Sequence, residues 1–109
     1  ENAGLPLYYG THFIPFTKHK AVPDSADGRR FVDIDLSILG QPPDVFEIYE
    51  FGIRREYERV SLRLFREKRA EILQRFLDRP SIFLTPHFRH KYERQARDNL
   101  LRSIAQLTR

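Results

Sequence analysis

Thr85-Pro-His-Phe-Arg-His-Lys-Tyr-Glu-Arg-Gln-Ala-Arg-Asp-Asn-Leu-Leu-Arg-Ser-Ile-Ala-Gln-Leu107 announces a helix at both ends of its pattern. Thr85 is a side-chain cap, and Pro86 fits the first helical position, where a missing N–H leaves nothing unsatisfied. Phe88, Tyr92, Ala96, Leu100, Ile104 and Leu107 then recur at three- and four-residue intervals, the spacing of one helical face.

The preceding stretches carry the same period. Ser61 caps a predicted helix running to about Asp78, with Leu62, Phe65, Ile72, Leu73, Phe76 and Leu77 as its apolar stripe. Arg79-Pro80 stops it, because proline disfavours helix in the residue before it. Gln41-Pro-Pro-Asp44 opens another, with Val45, Tyr49, Ile53, Tyr57 and Val60 in register, Phe46 and Ile48 widening the stripe, and Gly52 admitting a close neighbour. No run alternates with the two-residue period of a strand. The expected fold is all-α: a helical bundle of three main helices over residues 31–109, behind an irregular segment at 1–30. That segment has one helical turn expected around Thr11 to Lys18, and a loop by composition at Pro23-Asp-Ser-Ala-Asp-Gly28.

Between segment and bundle stands Phe31-Val-Asp-Ile-Asp-Leu-Ser-Ile-Leu-Gly40, an apolar run holding Asp33 and Asp35. A carboxylate there is solvated, caps a helix or holds a metal, because an unpaired buried charge is too costly. Asp35 can cap a short helix through Leu39, with Gly40 as its left-handed C-terminal residue.

Composition narrows the classes. A chain of 109 residues buries roughly 60% or somewhat more of its unfolded surface, enough for one modest core. Nine Phe and a 40% hydrophobic fraction supply it. There is no Cys, which excludes disulfides and thiolate chemistry and suits a reducing, cytoplasmic setting. No apolar run approaches the roughly 20 residues of a membrane helix, so no membrane partner is expected. Met is absent even at position 1, and the expectation is a processed product or part of a longer protein.

The net charge of +4 is uneven. Residues 1–43 hold four Lys/Arg against five Asp/Glu, while 44–109 hold fifteen against ten, mostly Arg. The acids and arginines fall as helical i,i+4 pairs: Glu50 with Arg54, Glu71 with Arg75, Glu93 with Arg97, Asp98 with Arg102. A solvated face is therefore preferred over a polyanion-binding one, since interleaved carboxylates repel phosphates, and nucleic acid is not an expected partner.

Three further groups bear chemistry. His87 and His90 stand three apart but lack neighbouring ligands, and read as surface or cap residues. Asn99 borders the apolar stripe of the last helix and reads as structural, bonding a nearby backbone group. Thr17-Lys-His-Lys20 precedes the two aspartates by about fifteen residues, across a loop that can return Lys18 and His19 beside them to hold a metal and a phosphate.

Phe31–Gly40 with its Pro-Pro helix resembles the C-terminal part of predicted HD-superfamily metal-dependent phosphohydrolases. The likeness continues through Ile53-Arg-Arg-Glu-Tyr57, Phe65-Arg-Glu-Lys-Arg-Ala70 and Arg79-Pro-Ser-Ile-Phe83 to Ala96-Arg-Asp-Asn-Leu100. The resemblance spans roughly residues 11–107 and implies an all-α fold. It also implies a divalent ion (Mg, Mn or Fe) that activates water against a phosphorylated small molecule. Its final Asp ligand falls on Asp35, with Asp33 the runner-up, and Lys18 and His19 fall where a site-facing Thr-x-x-His turn belongs. His19 stands one residue early. None of the four histidines is followed by Asp, so the His and His-Asp ligands are missing, and the chain is expected to be incomplete or inactive alone and to hold no metal of its own. The rival expectations are a small helical, homo-oligomeric interaction module and an Arg-rich polyanion-binding domain.

Overall fold

The computed structural model describes residues 25–109, together with the backbone of two short strands, β1 (Leu7–Tyr9) and β2 (His12–Ile14). These pair antiparallel with Tyr9 opposite His12 and Leu7 opposite Ile14. The helical turn expected around Thr11 to Lys18 is thus corrected over its described part: Phe13 and Ile14 are aromatic and β-branched, types that favour a pleated backbone.

Four helices follow: α1 (Ala26–Leu36), α2 (Pro43–Glu56), α3 (Leu62–Leu77) and α4 (Pro86–Leu107), with a 3-10 turn at Ser37–Gly40 joining the first two. The fold is an all-α bundle. Two of its starts match the sequence reading: Ser61 Oγ accepts from Leu64 N at 3.2 Å, and Thr85 Oγ1 accepts from Phe88 N at 3.4 Å.

The first helix is the main departure. It begins inside the stretch expected to be irregular, because Ser25 rather than Asp35 is its cap, accepting from Gly28 N at 2.9 Å. Asp35 lies inside the helix. Gly40 is a correction as well. It does not take a left-handed backbone; instead, a Cβ there would stand 2.7 Å from Tyr92 Cβ and 2.9 Å from the Tyr92 carbonyl. Glycine is needed because α4 crosses the 3-10 turn at contact distance. Gly52, expected to admit a neighbour, faces open space.

The core is formed by Leu36 and Leu39, Phe46 and Ile53, Phe65, Leu73 and Phe76, and Ala96 and Leu100. Ile82 and Phe83, in the connection between α3 and α4, are fully buried too. Burying side chains of this size contributes about 1.5–3 kcal/mol each. The α2 stripe is Phe46–Tyr49–Ile53, turned from the expected one, which leaves Val45 and Ile48 exposed. The helix stops at Glu56, before the predicted Val60. There, Tyr57 leaves helical backbone and Arg54 Nη1 donates to the Val60 carbonyl at 3.0 Å.

Candidate functional site

A buried connection carries main-chain N–H and C=O groups away from water, and each requires a partner. Residues 78–85, between α3 and α4, draw many of theirs from charged side chains on two helices, and Arg89 of α4 is one of them, donating to the Leu84 carbonyl at 3.1 Å. Asp33 of α1 is fully buried, and its carboxylate accepts from Leu84 N (2.7 Å), Thr85 N (2.8 Å) and the Thr85 hydroxyl (2.6 Å). Glu93 of α4 accepts from Ile82 N at 2.9 Å and Phe83 N at 3.1 Å. Arg97 binds Glu93 at 2.8 Å and donates to the carbonyls of Leu77 (3.1 Å), Arg79 (2.9 Å) and Pro80 (3.2 Å). Carboxylates serve the donors and guanidinium groups serve the acceptors. Asp33 also sits at the N-terminus of α4, where the helix dipole favours negative charge.

Asn99 performs the equivalent task for the 3-10 turn. Its amide nitrogen donates to the carbonyls of Leu39 (2.9 Å) and Gln41 (2.8 Å), and its oxygen accepts from Gln95 (2.9 Å) and Arg102 (2.7 Å). Every polar site of this buried amide is thereby used.

Asp35 is placed otherwise. It is half-buried on α1, and no hydrogen bond or ion pair reaches it from the described residues. Two positions apart on a helix are nearly opposite in direction, so the two acids separate: Asp33 points inward and Asp35 outward. Phe31 and Ile34, four and one residues before Asp35, are 64% and 53% exposed. Phe31, Ile34 and Asp35 share one helix face. Lys18 and His19 lie outside the described residues. His87 and His90 are exposed in the first two turns of α4, with the His87 ring edge-on to Phe88 at 5.5 Å.

The structure contains a charge pair absent from the sequence reading. Arg69 of α3 is fully buried, and its guanidinium forks onto Glu50 of α2, Nε to Oε1 at 3.1 Å and Nη2 to Oε2. Burial opposes its charge, but the adjacent Glu50 carboxylate outweighs that effect and holds Arg69 above its ordinary pKa. Glu50 is therefore paired across the bundle, not with Arg54 on its own helix. Of the four expected i,i+4 pairs, Glu93–Arg97 forms as an ion pair, while Arg102 faces Glu47 at 3.9 Å and Lys68 faces Glu71 at 3.9 Å. The sequence did hold a signal for Arg69: it stands four residues after Phe65 and four before Leu73, inside the apolar row.

Among the described residues, no group of three His, Asp or Glu gathers and no helix is long and apolar enough to cross a membrane. Comparison of the chain with protein-family models, with curated proteins and with solved structures finds no match.

Proposed function

We propose that the chain is the C-terminal portion of an HD-type metal-dependent phosphohydrolase, cytoplasmic and acting on a phosphorylated small molecule, with Asp35 at the final ligand position. One observation carries the reading: of two acids two residues apart, Asp33 is fully engaged in holding the fold, while Asp35 has no described partner. Asp35 stands on an apolar helix face that further protein would cover.

The described residues do not by themselves fit a metal centre. One carboxylate is too few for a divalent ion, which takes several protein ligands, so no hydrolytic step is assigned to them. On this reading the His and His-Asp ligands come from outside the described residues.

The test is to purify the 109-residue chain and, separately, the chain joined to whatever reading frame precedes Glu1. Bound Mn, Fe and Mg and hydrolysis of p-nitrophenyl phosphate are then measured in both. Stoichiometric metal and turnover in the longer protein, both lost in Asp35→Ala, are the expected result. Metal and turnover that survive Asp35→Ala overturn it.

A second reading, a helical module that associates with its own copies, rests on the outer stripe of α2. There Val45, Ile48 and Phe51 recur at i, i+3 and i+6 and are 40%, 73% and 66% exposed. Exposed apolar patches promote association. Sedimentation of a strict monomer at tens of micromolar would count against it.

A further inference from the structure

Helices α2, α3 and α4 border an open groove of about 360 Å³. Phe46 and Phe65 form its floor and are almost wholly buried; Phe51 and Leu62 flank it and are 66% and 54% exposed. Aromatic and aliphatic carbon thus lines it below and at the lips.

Three guanidinium groups complete the rim, each held by part of its donors. Arg54 uses Nη1 for the carbonyls of Tyr57 (3.4 Å) and Val60 (3.0 Å). Arg66 uses Nε for the Leu107 carbonyl (3.0 Å) and Nη2 for the Gln106 carbonyl (2.7 Å). Arg102 uses Nη2 for Asn99 Oδ1 (2.7 Å). A guanidinium carries five N–H donors, so each retains some beyond those these bonds use. The anchoring bonds also fix the charged heads in place, which lowers the ordering cost of meeting a ligand.

Two carboxylates share the lining. Glu50 is neutralised by buried Arg69, while Glu47 is 59% exposed and only 3.9 Å from Arg102 Nε. Three arginines against Glu47, the one acid not already neutralised by Arg69, leave the groove cationic.

We infer that this groove binds a small amphipathic anion. Its apolar body lies on Phe46 and Phe65 between Phe51 and Leu62, and its carboxylate or phosphate head meets the arginine rim. The volume lies in the range of small-molecule sites, about 300–1,000 Å³. The inference is independent of Asp35 and of any metal.

Dodecanoate below its micellar concentration is the probe, with dodecylammonium as the cation of equal chain length. Binding is read by titration calorimetry and by amide chemical shifts. Dodecanoate is expected to saturate one site, shifting amides around Phe51, Leu62 and Arg102. Arg102→Gln is expected to weaken it about tenfold or more, the scale of one charged hydrogen bond, and Phe51→Glu by about as much through lost apolar contact and added negative charge. Phe51 is exposed, and Asn99 keeps Gln95 on its oxygen when Arg102 is replaced, so both variants are expected to fold, which circular dichroism checks. Equal binding of the cation, affinity unchanged in both variants, shifts centred on Phe31 and Ile34, or no saturable binding would each overturn it.

Discussion

The Asp33 carboxylate accepts the main-chain N–H of Thr85 at 2.8 Å across 52 residues of chain, joining the first helix to the start of the last. With Leu84 N and the Thr85 hydroxyl on the same carboxylate, this is the longest-range polar tie described for the α3–α4 connection. It places two fully buried apolar residues, Ile82 and Phe83, against the core.

Asp33→Ala leaves three donors without an acceptor. At about 1 kcal/mol or more for each buried unsatisfied group, the expected loss is about 3 kcal/mol. Asp35→Ala is expected to stay within about 0.5 kcal/mol of the parent, as surface substitutions do. Urea unfolding of both variants checks the contrast; equal losses would show that Asp35 has a structural partner.

Removing either member of the Arg69–Glu50 pair strands a buried charge. Arg69→Ala is expected to cost about 3–5 kcal/mol. The double variant Arg69→Met with Glu50→Leu should recover most of that loss, because well-packed apolar residues replace such pairs at little cost. A thermal-melt comparison of single and double variants gives the answer, and a double variant as unstable as Arg69→Ala would contradict it.

Gly40→Ala places a methyl 2.7 Å from Tyr92 Cβ and 2.9 Å from the Tyr92 carbonyl. Overpacking of this kind costs about 1–3 kcal/mol. Tyr92→Ala should not relieve it, because Cβ and the backbone remain. Rescue by Tyr92→Ala in unfolding experiments would mean that the ring was the obstacle.

Burial raises the Tyr57 phenol above its ordinary value of 10.0; Arg69 lowers it by less, and Glu56 adds to the rise. The neutral phenol is therefore favoured in the folded state. Its contribution is fully present below about pH 10 and is lost as pH climbs through the folded value. Tyr57→Phe should lose less stability than the parent between pH 9 and pH 11, with absorbance at 295 nm following the ionisation. Identical pH dependence in the two proteins would rule this out.

Much of the architecture was legible residue by residue. Ser61 and Thr85 cap their helices as local chemistry dictates, Pro86 takes the first helical position, and Phe65, Phe76, Ala96 and Leu100 lie inside because helical periodicity puts them on one face. The α1 start was missed because Ser25 lies in a stretch whose Pro, Asp, Ser and Gly content also describes a loop. The α2 stripe was misjudged by one position, since Val45 and Phe46 are both apolar and only the neighbouring helices choose between them.

The candidate site was less legible, for a physical reason. Sequence alone established that Asp33 and Asp35 lie in an apolar run and that an acid there needs a partner, because desolvation is a property of the residue and its neighbours in the chain. Which acid found a partner was decided by the tertiary structure, since the donors come from Leu84 and Thr85, 51 and 52 residues away from Asp33. Helix pairing likewise chose Arg69 for Glu50 over the nearer Arg54. Local pattern determines which face of a helix is apolar. Only packing determines which charge is taken out of water, and therefore which must be answered from elsewhere in the chain.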